Sequence, residues 1–151
     1  MRVAIASDHG GFEQKRALVR YLNNLGHEVW DYGPKDDSSV DYPDYAALVA
    51  RAVADGSVER GVLICGTGIG MAIAANKARG IRAANVTSPL FASLAREHND
   101  ANIITLSGRF VDIETNKEII RIFLETPFAQ GRHDARVCKI KEAENGIVGT
   151  V

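Results

Sequence analysis

The amino-acid sequence predicts an α/β protein in which helices cover both faces of a five-stranded parallel sheet. Five short apolar runs, each typical of a buried strand, alternate with longer segments whose apolar residues recur at helical spacing. This alternation favours a parallel sheet, because each crossover helix returns the chain to the same end of the sheet. A length of 151 residues suits one domain with its own core. We therefore expect a single domain, residues 1–151, with a three-layer, Rossmann-like αβα architecture.

The first half of the chain is predicted to hold two strands and two helices. Gly26 is well placed to end the first helix, and Pro43 suits the first turn of the second. In order, we predict a strand at 3–6, a helix at 12–25, a strand at 27–32, a polar loop at 33–42 and a helix from 43 to about 54.

The second half continues the alternation. Ser88 and Pro89 form a helix start, since serine is a favourable N-cap and proline fits the first helical position. Asp112 or Thr115 can cap the helix that follows the fifth strand. We predict strands at 62–64, 82–86 and 103–106, and helices from 71 to about 79, from 89 to about 97, up to 124, and at 132–144. Residues 146–151 carry no clear pattern.

Charge and cysteine usage restrict the classes of function. A net charge of −1 gives no basic field for nucleic acid. Cys65 and Cys138 lie far apart and form no C-x-x-C pattern, which favours a reduced cytoplasmic protein without a structural zinc site. The sequence begins without a signal-peptide pattern, and no apolar run approaches ~18 residues. We expect a cytoplasmic protein with neither a membrane nor a nucleic-acid partner.

The stretch at 61–77, G-V-L-I-C-G-T-G-I-G-M-A-I-A-A-N-K, is the most informative of the chain. A strand ends at Cys65, a bare glycine-rich turn follows, and strong helix formers begin at Met71. Such a turn can bring backbone N–H groups close to an anion, and Cys65 could act there as a base or nucleophile. The G-x-G-x-G spacing matches neither dinucleotide sites nor P-loops. A tight connecting turn with an inert cysteine is the alternative.

Further polar residues lie near the predicted strand ends, and each has a structural alternative. Asp8 can cap the first helix, His98 can occupy a helix end favoured by the dipole, and Tyr42 can be a packing aromatic. Arginines 132 and 136, four residues apart, can form a solvated helical face. Together, one potential thiolate with several histidines and arginines suits a small anionic substrate and proton transfer.

Several motifs, in their order along the chain, carry a family resemblance. They are D-H-G-G at 8–11, V-D-Y-P at 40–43, C-G-T-G-I-G-M-A-I-A-A-N-K at 65–77, H-N-D-A-N at 98–102, S-G-R at 107–109 and R-H-x-x-R at 132–136. This set resembles the ribose-5-phosphate isomerase B family, which includes galactose-6-phosphate and allose-6-phosphate isomerases. The resemblance extends from the first strand to the last helix. It implies aldose–ketose isomerisation of a sugar phosphate through an enediol, without a metal or other cofactor.

The resemblance also implies residue roles. Cys65 is the expected base between C1 and C2 of the sugar, Thr67 polarises it, and His98 opens the furanose ring. Isoleucine stands at position 69, where another branch of the family has a glutamate base, so the chain resembles the cysteine branch. The other expected substrate-binding residues are Asp8, Tyr42 and Asn99 for the sugar, Gly66, Thr67, Gly68, Ile69 and Gly70 for the enediolate, and His9, Arg109, Arg132 and Arg136 for the phosphate.

Family members form homodimers or homotetramers whose sites draw on two subunits, so Cys65 and His98 of one site are expected on different chains. A single chain with all the motifs favours D-ribose 5-phosphate and D-ribulose 5-phosphate as substrates. A six-carbon sugar phosphate is the near alternative. A flavodoxin-like binding or regulatory module is the alternative of another class, and it would need neither the turn cysteine nor the His-Asn pair.

Overall fold

The predicted three-layer αβα sandwich is confirmed by a computed structural model that describes residues 1–146. The remainder of the predicted domain, residues 147–151, lies outside the described residues. The strands are β1 Arg2–Ser7, β2 Glu28–Asp31, β3 Arg60–Cys65, β4 Ala83–Asn85 and β5 Ile103–Ser107. The helices are α1 Phe12–Asn24, α2 Tyr42–Ala54, α3 Ile69–Ala75, α4 Pro89–Asn99, α5 Ile113–Glu125 and α6 Asp134–Ala143. Within the described part of the chain, no helix is both long and apolar enough to cross a membrane.

The sheet is parallel throughout and has the strand order β2-β1-β3-β5-β4. Successive residues of the central strand β3 serve opposite faces, as the pleat of a strand requires. Val62 and Ile64 belong to the core under α1, α4 and α5, whereas Leu63 and Cys65 belong to the core under α2 and α3. Burial on both faces explains why β3 reads as a continuous apolar run.

The predicted bounds of α3 and β4 in the middle of the chain were wrong. Helix α3 begins at Ile69 rather than Met71 and ends at Ala75 rather than near residue 79. It ends early because the Asn76 side chain bonds the carbonyl oxygens of Ala72 and Ala83 at 2.9 and 2.8 Å and accepts from the Ala83 N–H at 2.8 Å. These bonds draw the chain directly into β4, which is shorter than predicted.

The predicted last helix, residues 132–144, was also wrong at its start. A 3-10 turn over Gly131–His133 precedes α6. Gln130 and Gly131 both have positive φ, 59° and 60°, which an α-helix does not allow. Arg132 therefore lies in the turn and Arg136 in the helix, so the two arginines do not share one α-helical face.

An ion pair between the buried Lys15 and the partly exposed Asp31 fixes the loop between β2 and α2. Lys15 of α1 is 2% exposed, and its Nζ donates to both Asp31 carboxylate oxygens at 2.7 and 2.8 Å and to the Pro34 carbonyl oxygen at 2.9 Å. Asp31 also accepts from the Gly33 N–H at 2.9 Å. The loop then leads to Tyr42, the first residue of α2, so the pair ties the approach to α2 onto α1.

The two members of this pair are expected to differ in their effect on stability. Asp31→Ala leaves a buried ammonium group, and we expect it to cost roughly 3 kcal/mol of unfolding free energy. Lys15→Met leaves a carboxylate that is 39% exposed and regains water, so we expect a loss of about 1 kcal/mol. Urea unfolding at one protein concentration measures both losses. Glu59→Ala, which breaks the exposed pair with Arg2, is the control and should cost under about 1 kcal/mol. Equal losses for Asp31→Ala and Lys15→Met would contradict the asymmetry.

Candidate active site

Three glycine-bearing turns meet where the central strands end, which we call the carboxyl edge of the sheet. They are D-H-G-G after β1, C-G-T-G-I-G after β3 and S-G-R at the end of β5. Backbone hydrogen bonds join them: the N–H of Asp8 donates to Ile64 at 3.1 Å, and the N–H of Gly108 donates to Cys65 at 2.8 Å. The N–H of Arg109 donates to Gly66 at 3.2 Å. The three turns, residues 8–11, 65–70 and 107–109, therefore form one continuous surface, which we call the floor of the site.

The three turns can pack this closely because Gly11 and Gly108 have no side chains. A Cβ added at Gly11 would lie 2.6 Å from Ile64 Cγ2 and 2.7 Å from its carbonyl oxygen. A Cβ at Gly108 would lie 2.7 Å from the carbonyl oxygen of Gly10. Because these neighbours are mainly backbone atoms, they cannot move aside without opening the floor.

Cys65 ends β3 inside this floor and is 5% exposed. Its Sγ accepts the backbone N–H of Gly68 at 3.1 Å, which places one fixed donor on the sulfur. Gly68 has φ of +82°, a conformation that glycine adopts without strain. The Thr67 hydroxyl accepts from the N–H of Ile69 at 3.3 Å, and in the described residues it makes no hydrogen bond to the sulfur.

The other predicted residues of this edge surround Cys65. Asp8 is buried, and its Oδ1 accepts from the Gly11 N–H at 3.0 Å. Gly11 is itself the N-cap of α1, so Asp8 fixes the turn before the helix and does not take the capping role that the sequence left open. The exposed Arg109 guanidinium lies over Gly10 and Gly66, 3.4 and 3.6 Å from the positions that their Cβ atoms would take.

His9 and Tyr42 complete this group. His9 is exposed, and its Nδ1 accepts from the Val40 N–H at 3.4 Å, so it touches the loop before α2. The Tyr42 ring packs on Gly70, where a Cβ would lie 2.7 Å from the ring Cζ. Tyr42 thus has the packing contact that the sequence suggested and remains partly exposed at the edge of the turn.

His98 and Asn99 lie at the opposite end of the strands, where the strands begin, which we call the amino edge of the sheet. They end α4, which runs back from the carboxyl end of β4 to the start of β5. Residue 102, just beyond them, joins the beginnings of β3 and β4: its carbonyl accepts from the Gly61 N–H at 3.0 Å, and its N–H donates to Arg82 at 3.1 Å. From there β5 rises roughly 16 Å to Ser107 at about 3.3 Å per residue. One chain therefore does not bring Cys65 and His98 together.

A cationic cluster surrounds His98 at this amino edge. Its ring stacks on that of His133, with centroids 4.3 Å apart and planes 12° apart. Burial lowers the pKa of His133 below its usual value, and the charges of His98, Arg132 and Arg136 lower it further. The two phosphate-binding candidates of the C-terminal motif, Arg132 and Arg136, thus flank the histidine pair, and both are exposed.

Two residues with structural importance in the site region were not singled out from the sequence. Asp100 follows Asn99 with φ of +46°, held by Arg82 at 2.7 Å and Arg96 at 2.9 Å. Asn85 reaches the glycine-rich turn from β4. The H-N-D-A-N motif contained a signal for Asp100, whereas Asn85 lies in no motif. In residues 1–146, no three His, Cys, Asp or Glu side chains form a group that could hold a metal ion.

A model of the Ribose/Galactose Isomerase family matches residues 3–140 of the chain. The chain belongs to this family. Among curated members, it is 44% identical over 143 residues to ribose-5-phosphate isomerase B of Escherichia coli strain K12, over 95% of this chain and 96% of the relative. The solved structure of ribose-5-phosphate isomerase B from Clostridium thermocellum is similar with a TM-score of 0.95 and 47% identity, over 97% and 99% of the two chains.

A second solved member of the Ribose/Galactose Isomerase family includes a ligand. It is ribose-5-phosphate isomerase B from Mycoplasma genitalium with bound ribulose-5-phosphate, with a TM-score of 0.92 and 44% identity over 95% of this chain and 96% of the other. The resemblance inferred from the motifs is therefore confirmed along nearly the whole chain.

The lowered pKa of His133 predicts a pH dependence of stability. Its folded pKa lies below the unfolded value of about 6.5, so the unfolded chain binds more protons as the pH falls. The contribution of neutral His133 to the unfolding free energy is fully present above the unfolded pKa. It is lost as the pH falls from there through the folded pKa. Between about pH 7.5 and 5.5, wild type should lose more unfolding free energy than His133→Gln. His27, whose pKa burial also lowers, contributes equally to both proteins. Equal pH slopes in urea unfolding would contradict this assignment.

Proposed function

We propose that this member of the Ribose/Galactose Isomerase family interconverts D-ribose 5-phosphate and D-ribulose 5-phosphate through an enediol. The observation that carries the proposal is Cys65, a buried thiol with a fixed N–H donor at 3.1 Å beside the Arg109 guanidinium. The relatives support the pentose, since they are named ribose-5-phosphate isomerase B and one binds ribulose-5-phosphate. The cytoplasm keeps thiols reduced, which suits a free catalytic cysteine, so we place the enzyme there.

In this mechanism Cys65, as the thiolate, takes the proton from C2 of the open-chain aldose. The electrons of the broken C–H bond form the C1–C2 double bond, and negative charge moves to the C1 oxygen. Return of the proton to C1, with transfer of a proton from the C2 oxygen to the C1 oxygen, gives the ketose. The backbone N–H groups between Gly66 and Gly70 that bind neither the Cys65 sulfur nor the Thr67 hydroxyl are the donors for the developing enediolate. Thr67 would polarise the base on contact with substrate.

The remaining residues bind and open the sugar. His98 donates a proton to the ring oxygen, and Asp8, Tyr42 and Asn99 hold the sugar. His9, Arg109, Arg132 and Arg136 hold the phosphate, whose double negative charge suits several guanidinium groups. Binding of the remote phosphate then helps to fix the reacting carbons near Cys65.

These roles require two chains for each site. Cys65 and His98 lie at opposite edges of the sheet, so the carboxyl edge of one chain must meet the amino edge of another. The surface beside the glycine-rich turn and along the start of α4 supports such a contact, because apolar side chains there are each more than half exposed. They are Ile69, Ile73, Leu90, Phe91 and Phe110. Large exposed apolar patches are uncommon on monomers and often mark subunit interfaces. We propose a homodimer with two equivalent sites, alone or within a homotetramer.

Replacing the base tests the chemistry. Cys65→Ala should lower kcat roughly 10²- to 10⁴-fold, because it removes the group that transfers the proton. Binding of ribulose 5-phosphate, followed by calorimetry, should survive. A coupled assay with pentose and hexose phosphates measures turnover and also tests the six-carbon alternative. Cys138→Ala is the control, since Cys138 is exposed on α6 and should leave kcat unchanged. Near-normal turnover of Cys65→Ala would refute the role of Cys65.

Subunit mixing tests the shared site. Cys65→Ala and His98→Ala should each be inactive alone, and random exchange between them should make half of the dimers mixed. Each mixed dimer then holds one site with both residues intact and one with neither. About a quarter of wild-type activity should therefore return. If mass spectrometry shows exchanged dimers and no activity returns, Cys65 and His98 act within one chain.

A further inference from the structure

Asn85, the last residue of β4, bridges the sheet and the glycine-rich turn. Its Nδ2 donates to the Thr67 carbonyl oxygen at 3.2 Å and to Thr105 Oγ1 at 3.1 Å. Thr105 is fully buried and lies opposite Asn85 in the β4–β5 register. Because an amide nitrogen carries two hydrogens, both bonds can form together. Thr105 thus holds the side-chain amide of Asn85 through one hydrogen, and the second hydrogen of that amide points to the Thr67 carbonyl oxygen.

The Thr67 carbonyl and the Gly68 N–H belong to one peptide group. In a planar trans peptide these two groups point in opposite directions. With its carbonyl held on the β4 side by Asn85, this peptide directs its N–H away from β4 and onto Cys65 Sγ at 3.1 Å. The donor on the sulfur is therefore oriented from a neighbouring strand.

This peptide needs an external support. Gly68 adopts positive or negative φ with similar ease, so the peptide before it can rotate at little cost. Rotation would replace the N–H beside Cys65 by a carbonyl oxygen, which repels negative charge on sulfur. The turn cannot be stiffened by a side chain at position 68. A Cβ there would collide with Asn85 Nδ2 and would lie 3.0 Å from the Leu106 carbonyl oxygen.

We propose that Asn85 is a positioning residue that holds the Thr67–Gly68 peptide with its N–H on the Cys65 sulfur. The catalytic meaning of this inference rests on the proposed function, in which Cys65 is the base. Asn85 acts through the peptide and needs no contact with substrate. A donor held on the sulfur favours its negatively charged form, the form that accepts the proton.

The chain offers a matched control in Asn76. Asn76 is also an exposed asparagine that links the α3 segment to β4, with its three side-chain hydrogen bonds at the opposite end of that strand. We compare Asn85→Ala with Asn76→Ala, both in a Cys138→Ser background so that Cys65 is the only thiol. Asn85→Leu is a second variant, because it keeps the size of the side chain and adds no charge but has no N–H for Thr67.

Isomerase kinetics provide the first measurement. For Asn85→Ala we expect kcat to fall roughly 10- to 100-fold, the range for a lost hydrogen bond to a charged group, with KM nearly unchanged. The acidic limb of its kcat/KM profile should move to higher pH. The profile of Asn85→Leu should shift in the same direction. Asn76→Ala should melt at a lower temperature and keep the wild-type kcat and pH profile.

Alkylation of Cys65 by iodoacetamide, followed by mass spectrometry across pH, provides the second measurement. It needs no isomerase activity, so it tests the role of Asn85 even if wild type proves inactive on every sugar phosphate, an outcome that would refute the proposed function alone. The half-maximal alkylation rate should occur at higher pH in both Asn85 variants. Folded Asn85 variants with wild-type pH profiles would overturn the proposal. An equal shift in Asn76→Ala would overturn it too, because the effect would then be general loosening.

Discussion

Close backbone packing between three turns is the constraint on which the rest of the site depends. The turns after β1, β3 and β5 touch at distances that leave no room for a Cβ at Gly11 or Gly108. Because of this contact, Asp8, Cys65 and Arg109 come from three different strands and still surround one point. The sheet supplies the common edge, and the glycines bring the chain segments together there.

The sequence predicted this carboxyl-edge group well, because parallel strands end at one edge and each motif directly follows a strand. The ends of α3 and of the last helix could not be predicted, because distant contacts decide them. Asn76 stops α3 through its bonds to Ala83, and the turn before α6 carries His133 onto the ring of His98. Local helix propensity contains no information on either contact.

The position of His98 shows that the order of motifs along the chain does not reveal at which end of the sheet each motif lies. Its motif immediately precedes β5, and the sequence alone groups it with the residues that follow the strands. A crossover helix reverses the chain direction, so the last turn of α4 lies at the amino edge, with Arg132, His133 and Arg136 nearby. Cys65 and the cationic cluster are thus separated by the length of the strands, and it was the family resemblance that led us to expect Cys65 and His98 of one site on different subunits.

The length of β5 has a consequence for the geometry of the proposed homodimer. In that homodimer, each chain would give its carboxyl edge to one reaction centre and its amino edge to the other. The spacing between the two centres is therefore set by the distance between these edges on one chain, roughly 16 Å for a strand of this length. In the proposed homodimer, the length of a five-residue strand would thus determine how far apart the two reaction centres lie.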